Sequence, residues 1–142
     1  AIDHRQAYFG VADSTRSTPG GMVAVKLGTG ERVWHMPAEK PLCGTPARNC
    51  SAAQGAAVTA IPGAVLSVSY DGGLRAYAAD DGTVLWQFDT NREFTTVNGV
   101  KANGGSMDGR GPIVAGGLLF VNSGYGGIVG KPGNVLLVFG VD

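Results

Sequence analysis

A short motif, Gly-x-x-x-Trp, occurs twice in the sequence and constrains the fold more than any other feature. It runs from Gly30 to Trp34 and from Gly82 to Trp86, which places the two tryptophans 52 residues apart. Each copy ends a longer stretch of alternating residues with a glycine-containing turn, "GGMVAVKLGTGERVW" and "DGGLRAYAADDGTVLW". A third stretch, "GNVLLVFGVD", has the alternating residues without the turn and the tryptophan. This recurrence indicates a repeated structural unit.

The residues upstream of each copy repeat as well. The stretches "AYFGVADS", "AVLSVSYDG" and "LLFVNSGYGG" each read as an alternating strand that enters a polar turn. Still further upstream, "GAAVTAIPG" and "GRGPIVAGG" are small, apolar and end in glycine. The unit therefore has four strands: a small-residue inner strand, two middle strands and an outer strand with tryptophan. A four-stranded antiparallel unit of about 40–50 residues is typical of a β-propeller blade.

The composition agrees with an all-β chain. Its 24 glycines and 7 prolines divide short apolar runs that show no helical period. The alternative fold is a β-sandwich with two similar hairpins, but the recurrence of four elements in one order favours propeller blades. In a blade, a tryptophan on the outer strand can fill the gap to the neighbouring blade.

The strands predict about two and a half blades. Residues 1–42 form a partial blade, residues 43–90 a complete blade, and residues 91–142 a blade that lacks its outer strand. Propellers close with about 4–8 blades, and each repeat buries its faces against its neighbours. We therefore expect the chain to be the C-terminal part of a larger propeller, with the remaining blades as partners and no activity of its own.

The charges and hydropathy exclude two classes of partner. The sequence has 11 Lys and Arg against 11 Asp and Glu, which argues against a nucleic-acid partner. No apolar run approaches the roughly 18 residues that a membrane span requires.

The two cysteines, Cys43 and Cys50, flank a short stretch that contains Gly, Pro and Asn. Such a loop can bring the two residues within disulfide range, and a disulfide predicts an oxidising compartment. Two unrelated thiols are the alternative. A zinc site is disfavoured because there is no CxxC spacing, and His4 and His35 have no partner pattern.

The turn-and-tryptophan units "DDGTVLW" and "GTGERVW" resemble the repeat of pyrroloquinoline-quinone (PQQ) dehydrogenase propellers, and also that of non-enzymatic outer-membrane assembly propellers. From about Cys43, "CSAAQGAAVTAIPGAVLSVSYDGGLRAY" and "FDTNREFTTVNGVKANGGSMDGRGPIVAGGLLFVNSGYGGIVGKPGNVLLVF" resemble the C-terminal part of polyvinyl-alcohol dehydrogenase-like quinoproteins. The resemblance implies a periplasmic or secreted propeller that binds PQQ, with Ca²⁺ as a further candidate. It implies oxidation of secondary or polymeric alcohols and electron transfer to an acceptor such as cytochrome c.

The segment "NREFTTVNGVKANGGSMDGR" is predicted to be a long loop that enters the last inner strand, near the propeller axis. PQQ carries carboxylates and an ortho-quinone, and cations suit both groups. Lys101 is the first candidate for polarising the quinone oxygen, and Arg110 for pairing with a carboxylate. Asn98 and Asn103 are candidates for hydrogen bonds to the ring oxygens. The alternative for both cations is a solvated loop.

Asp108, in "MDGRG", is a weak candidate for a general base or a Ca²⁺ ligand, and it also suits a turn. Arg48 and Gln54 belong to the equivalent connection of the preceding blade and are expected on the same side. A second function remains open: a non-enzymatic propeller that serves as a scaffold for protein binding or outer-membrane assembly. The long loop with Lys, Arg and Asn favours the enzyme.

Overall fold

The computed structural model describes residues 1–43, 50–125 and 130–141. This part of the chain contains only β-strands and irregular segments, and none of its elements is a helix that could cross a membrane. The strands are β1 (Gln6–Val11), β2 (Gly21–Lys26), β3 (Arg32–Met36), β4 (Thr59–Ile61), β5 (Ala64–Val68), β6 (Gly73–Ala78), β7 (Val84–Asp89), β8 (Glu93–Thr95), β9 (Lys101–Asn103), β10 (Ile113–Ala115), β11 (Leu118–Ser123) and β12 (Val135–Phe139).

Ten of these strands form three antiparallel sheets that follow one another along the chain, and β8 and β9 form a separate two-stranded hairpin. Sheet 1 has the order β1-β2-β3, sheet 2 the order β4-β5-β6-β7, and sheet 3 the order β10-β11-β12. Neighbours in space are neighbours in sequence, as in the meander of a propeller blade. The predicted all-β fold of antiparallel blade units is confirmed. The division of the chain at residues 43 and 91 stays a prediction.

Sheet 2 lies between the other two sheets, and this position explains its burial. In β6 all residues but the last are buried, because side chains on both of its faces meet a neighbouring sheet. One face joins an apolar cluster with sheet 1, in which Tyr8 and Met22 contact Val65 and Tyr77. The other face joins a cluster with sheet 3, which contains Val68, Leu74, Met107 and Val121.

The tryptophans of the repeated motif lie on the outermost strands, as the sequence predicts. Trp34 is on β3 and opposes Ala24, and Trp86 is on β7 and opposes Ala76. The ladder is irregular at the next residue of β2 and of β6, which is the same place in the two sheets. This shared irregularity is further support for two copies of one unit.

Trp34 fills the gap between sheets 1 and 2. Only 8% of its surface is exposed, and its indole N–H donates a 2.9 Å hydrogen bond to the carbonyl of Ala79. A Cβ atom at Gly82 would lie 2.6 Å from the indole ring. Gly82, at a φ of 76°, therefore both forms the β6–β7 turn and leaves room for the tryptophan of the preceding sheet.

Two long connections join the sheets: connection 1, residues 37–58, and connection 2, residues 90–112. Connection 2 was predicted to be a loop between residues 91 and 110, but it contains the two-stranded hairpin β8–β9. The reason is local turn chemistry. Asn98-Gly99 suits a hairpin turn, and Gly99 has a φ of 78°. Thr96 and Val100 close the turn with backbone hydrogen bonding.

Candidate functional site

Connections 1 and 2 meet at one end of sheet 2, which we call the connection end. The backbone N–H of Ala57, in connection 1, donates to the carbonyl of Gly109, in connection 2, over 3.3 Å. The N–H of Met107 donates to the carbonyl of Ser69, next to the β5–β6 turn, over 3.2 Å. Backbone hydrogen bonds thus join segments that are far apart in sequence at this end of the sheet.

The candidate residues Lys101 and Asn103 lie on β9. Both are exposed while Ala102 between them is buried, so the two side chains share the outward face of the hairpin. Asn98 lies in the turn of the same hairpin, where its Oδ1 accepts a hydrogen bond from the hydroxyl of Thr96. Two of the three side chains are available to a ligand, and the third has a partner within its turn.

Asp108 and Arg110 follow a buried run, residues 104–107, that separates them from β9. Asp108 is half-buried and Arg110 is exposed. The backbone N–H of Arg110 donates to the backbone carbonyl of Asp108 over 2.7 Å. This bond is typical of a tight bend, so the turn-forming role proposed for "MDGRG" and a ligand-binding role are compatible.

The chemistry of these donors fits a quinone with carboxylate groups, because Lys and Arg are cations and Asn is a neutral donor. A binding site for PQQ also has to enclose its flat ring system. Of the two clefts described below, neither is lined by Lys101, Arg110, Asn98 or Asn103. These residues therefore offer suitable donors, and they lie outside both clefts.

A buried ion pair lies beside the connection end, and sequence reasoning missed it. Asp71 and Arg75 are 0% and 1% exposed, and the Arg75 Nη2 donates to Asp71 Oδ2 over 3.2 Å. The remaining donors of Arg75 reach Ser69 Oγ at 2.6 Å and Gln87 Oε1 at 2.9 Å. Asp71 also accepts a hydrogen bond from the backbone N–H of Gly73 at 2.9 Å, in the turn between β5 and β6.

The pKa of Asp71 is lowered although the residue is buried. Burial raises the pKa of this carboxyl, but the charge of Arg75, the Ser69 hydroxyl and the backbone N–H of Leu42 together outweigh burial. Asp71 is therefore ionised and paired with Arg75. A signal for the pair was present, since Arg75 occupies an inward position of a strand that is otherwise apolar or small.

The same ion pair holds connection 1 in place. Leu42 N–H donates to Asp71 Oδ2 over 3.0 Å, and a carboxylate oxygen of Glu39 lies 3.6 Å from Arg75 Nε. Cys43 follows directly and forms the predicted disulfide with Cys50, with Cα atoms 6.0 Å apart. The disulfide is confirmed. Both sides of connection 1 are therefore fixed close to sheet 2.

Gln54, expected on the same side as the candidate loop, is buried between the sheets. It is 2% exposed, and its Nε2 donates to the hydroxyl of Tyr77. Burial, the largest cause, raises the pKa of Tyr77. The Oε1 of Gln54 has no hydrogen-bond partner in the part of the chain that the structure describes. Arg48, the other residue expected in this connection, lies outside the described residues.

A cleft of about 590 Å³ opens at the connection end. It is lined by residues from three stretches: the β1–β2 turn, connection 1 before the disulfide, and residues 50–52 after it. Its volume is within the roughly 300–1,000 Å³ of ligand-binding pockets. Sequence reasoning did not find this cleft, because its walls come from separate parts of the chain.

A smaller cleft of about 420 Å³ lies near the β6–β7 turn and the N-terminal residues. Among its lining residues is Asp3, which accepts a 2.6 Å hydrogen bond from the Tyr8 hydroxyl. This bond is the main reason why the pKa of Asp3 falls to about 2, while burial first and Asp3 second raise the pKa of Tyr8 to about 12. Arg5 pairs with Asp80 at 2.5 Å, and both are exposed. The Arg5–Asp80 ion pair thus holds the N-terminal residues against the β6–β7 turn of sheet 2.

No three His, Cys, Asp or Glu side chains lie close enough together to hold a metal ion within residues 1–43, 50–125 and 130–141. The assignment of Ca²⁺ and of Asp108 as its ligand stays a prediction.

Comparison with known proteins gives two kinds of match. A family model named PQQ_2, described as outer membrane protein assembly factor BamB, matches residues 19–131. The whole chain is also similar to two curated proteins named polyvinylalcohol dehydrogenase. One, from Pseudomonas sp, is 40% identical over 153 residues, and the other, from Sphingopyxis sp. (strain 113P3), is 38% identical over 158 residues. The chain spans 24% of the length of each.

Proposed function

Since this chain belongs to the PQQ_2 family, we propose that it forms part of an alcohol dehydrogenase that uses PQQ. The observation that carries the proposal is the identity of 40% and 38%, over the whole chain, to two proteins named polyvinylalcohol dehydrogenase. The PQQ-type propeller blades of the structure agree with it. The proposed substrates are secondary alcohols, including polymeric ones, and the proposed electron acceptor is a protein such as cytochrome c.

The residues of the connection end are assigned roles in this proposal by their chemistry. PQQ, when bound, supplies the site that takes up two electrons from the alcohol. Lys101 and Arg110 are proposed to bind its carboxylate and quinone oxygens as cations, and Asn98 and Asn103 to donate hydrogen bonds to it. Asp108 is proposed as a base or as a ligand of Ca²⁺. The position of Lys101 and Asn103 supports their proposed roles, because the two side chains share one exposed face of β9.

The compartment of the enzyme is proposed to be the periplasm or the outside of the cell. The Cys43–Cys50 disulfide supports this, because structural disulfides persist in oxidising compartments.

The test uses the protein at its natural length, supplied with PQQ and Ca²⁺. We expect PQQ to bind at micromolar concentration, measured by quenching of tryptophan fluorescence, and secondary alcohols to drive the reduction of an electron-accepting dye. Lys101→Ala is expected to weaken PQQ binding about tenfold, which corresponds to the loss of about 1.4 kcal/mol. The matched control is Lys26→Ala, which removes an exposed lysine from the end of β2.

Failure of the wild-type protein to bind PQQ would overturn the proposed function. Normal binding and activity in Lys101→Ala would remove only the role of Lys101. Equal weakening by Lys26→Ala would show that the loss reflects the net charge of the protein and not a site on β9.

A second candidate is a scaffold without catalytic activity. The observation that favours it is the match of residues 19–131 to a family described as an outer membrane protein assembly factor. This function requires binding of unfolded outer-membrane proteins and no binding of PQQ. Titration of the two ligands against the same preparation therefore separates the two candidates.

A further inference from the structure

We infer that the 590 Å³ cleft at the connection end is a subsite that binds an extended segment of a hydroxylated polymer, a chain of alternating CHOH and methylene groups. The inference rests on the proposed function, because the substrate class comes from the relatives' name, polyvinylalcohol dehydrogenase. It goes beyond that function by assigning a binding site to the repeats of the polymer that do not react.

The lining of the cleft matches such a polymer in chemistry. Four hydroxyl side chains line it, and each hydroxyl can both donate and accept a hydrogen bond. Between them lie proline and alanine side chains, which offer apolar surface to methylene groups. The hydroxyl side chains are Ser14, Ser17, Thr18 and Ser51, and the prolines are Pro19, Pro37 and Pro41.

The charges of the cleft are largely compensated, as a neutral ligand requires. Glu39 lies 3.6 Å from the buried guanidinium of Arg75, and Arg16 lies 4.0 Å from the carboxylate of Asp13. Lys40 is the remaining charged side chain of the lining, among the residues that the structure describes. Because the single charge of Arg75 already balances Asp71, the Glu39 carboxylate is balanced by Lys40, and the charges of the lining and its partners sum to zero.

Two of the three stretches that line the cleft are held against sheet 2 and joined to each other. The Asp71–Leu42 and Arg75–Glu39 contacts hold one wall, and the disulfide joins that wall to Cys50, which lines the other. Fixed walls lower the entropy cost of binding a flexible chain, since only the ligand then becomes ordered. The buried ion pair of Asp71 and Arg75 therefore positions the part of connection 1 that lines the subsite.

The cleft also lies within reach of Arg110, a residue proposed to bind the cofactor. Ala52 lines the cleft, and five residues later Ala57 donates its backbone hydrogen bond to Gly109, the neighbour of Arg110. Five residues span at most about 18 Å. An extended polymer is long enough to have one repeat near Arg110 and later repeats in the cleft.

The test blocks the cleft with a large side chain at an exposed position. Thr18→Trp and Ser17→Trp fill the cleft from the β1–β2 turn, where both residues are exposed. The matched control is Thr29→Trp, at an exposed position in the β2–β3 turn and outside the cleft lining. In the protein at its natural length, two measurements are made on each variant: electrophoretic retardation in gels that contain poly(vinyl alcohol), and kcat and KM for the polymer and for 2,4-pentanediol.

We expect Thr18→Trp and Ser17→Trp to weaken retardation by the polymer and to raise KM for it about tenfold, which corresponds to about 1.4 kcal/mol. Both kinetic constants for the short diol are expected to stay as in the wild type, because the diol reaches only the reacting site. Thr29→Trp is expected to behave as the wild type in all measurements.

Unchanged retardation in both blocking variants would overturn the subsite, and so would an equal loss for polymer and diol. The gel measurement does not depend on PQQ or on catalysis. Retardation without oxidation of either alcohol would reject the proposed function and keep the polymer site. If both alcohols are oxidised and the blocking variants keep the wild-type kcat and KM for the polymer, the polymer site is rejected and the proposed function is kept.

Discussion

Sheet 2 contacts a neighbour on each face, and the two interfaces are closed by different side chains. The first interface joins it to sheet 1 and connection 1. There Trp34 is 8% exposed and donates its N–H to the next sheet. The second interface joins it to sheet 3 and connection 2. There Trp86 is 39% exposed and contacts Phe88 and Phe139 at ring-centroid distances of 5.9 and 5.5 Å.

The polar ends of the interfaces differ as well. The first contains the ion pair of Asp71 and Arg75. The second contains neutral hydroxyls: Thr90 and Ser123 lie 2.7 Å apart, and the N–H of Gly105 donates to Ser123 Oγ over 2.9 Å. The tryptophans of the repeated motif therefore lie at both interfaces, whereas the polar groups that distinguish the interfaces come from residues outside the motif. The predictions below test this difference, from the largest expected effect to the smallest.

Removal of the buried cation should have the largest effect. Arg75→Met leaves Asp71 buried without its partner, and we expect the free energy of unfolding to fall by about 3–5 kcal/mol. The measurement is urea unfolding of the protein at its natural length. Ser123→Ala, which breaks the neutral cluster of the second interface, should cost about 1–3 kcal/mol. An equal or larger loss in Ser123→Ala would contradict the distinction between the interfaces.

Reduction of the disulfide should have the next largest effect. The bond between Cys43 and Cys50 closes a loop with a sequence separation of 7, and its loss is expected to cost about 2–3 kcal/mol. Connection 2 has no cysteine, since the sequence contains only these two. Urea midpoints with and without dithiothreitol measure the loss. A double variant, Cys43→Ser with Cys50→Ser, should not respond to the reductant, and any response of it would point to another cause.

Replacement of the two tryptophans should separate the interfaces directly. Trp34→Phe removes the hydrogen bond to Ala79 and part of a buried ring, so we expect a loss of about 1–3 kcal/mol. Trp86→Phe keeps an aromatic ring at a partly exposed position and should change stability by less than about 0.5 kcal/mol. Both are measured by urea unfolding. Equal losses would mean that Trp86 is as buried in the natural protein as Trp34.

Lowering the pH should weaken the first interface and leave the second unchanged. We expect this change in unfolding free energy to be the smallest of the four effects. The pKa of Asp71 in the folded protein is below its usual range, so the ionised pair contributes full stability above the pKa of the unfolded chain. This contribution is lost as the pH falls through the lower, folded pKa. The difference in unfolding free energy between wild type and Asp71→Asn should therefore be larger at pH 7 than at pH 3. The difference between wild type and Ser123→Ala should stay constant, because a serine hydroxyl does not titrate in this range.

The sequence predicted the features that depend on local patterns. Alternation and glycine turns identified the strands of the three sheets, and the spacing of Cys43 and Cys50 identified the disulfide. The hairpin β8–β9 was missed although Asn98-Gly99 is a hairpin signal, because the strands have only three residues each. Such short strands give little alternation to recognise.

The ion pair and the cleft depend on contacts between distant segments. Arg75 is buried because connection 1 covers it, and nothing near Arg75 in the sequence shows where residues 39–42 will lie. The cleft needs three stretches to meet. Lys101, Arg110, Asn98, Asn103 and Asp108 were chosen from their chemistry, and the structure places them on one segment without testing their roles.

The contact between Trp34 and Gly82 gives the repeat a direction along the chain. Trp34 of one copy of Gly-x-x-x-Trp rests on Gly82 of the following copy, so the first unit gives a ring to the second and the contact runs in one direction along the chain. Duplication or loss of a whole unit preserves this pairing, while a break inside a unit leaves one tryptophan without its glycine. A chain with this pairing is therefore expected to tolerate the gain or loss of a whole unit better than a cut within one.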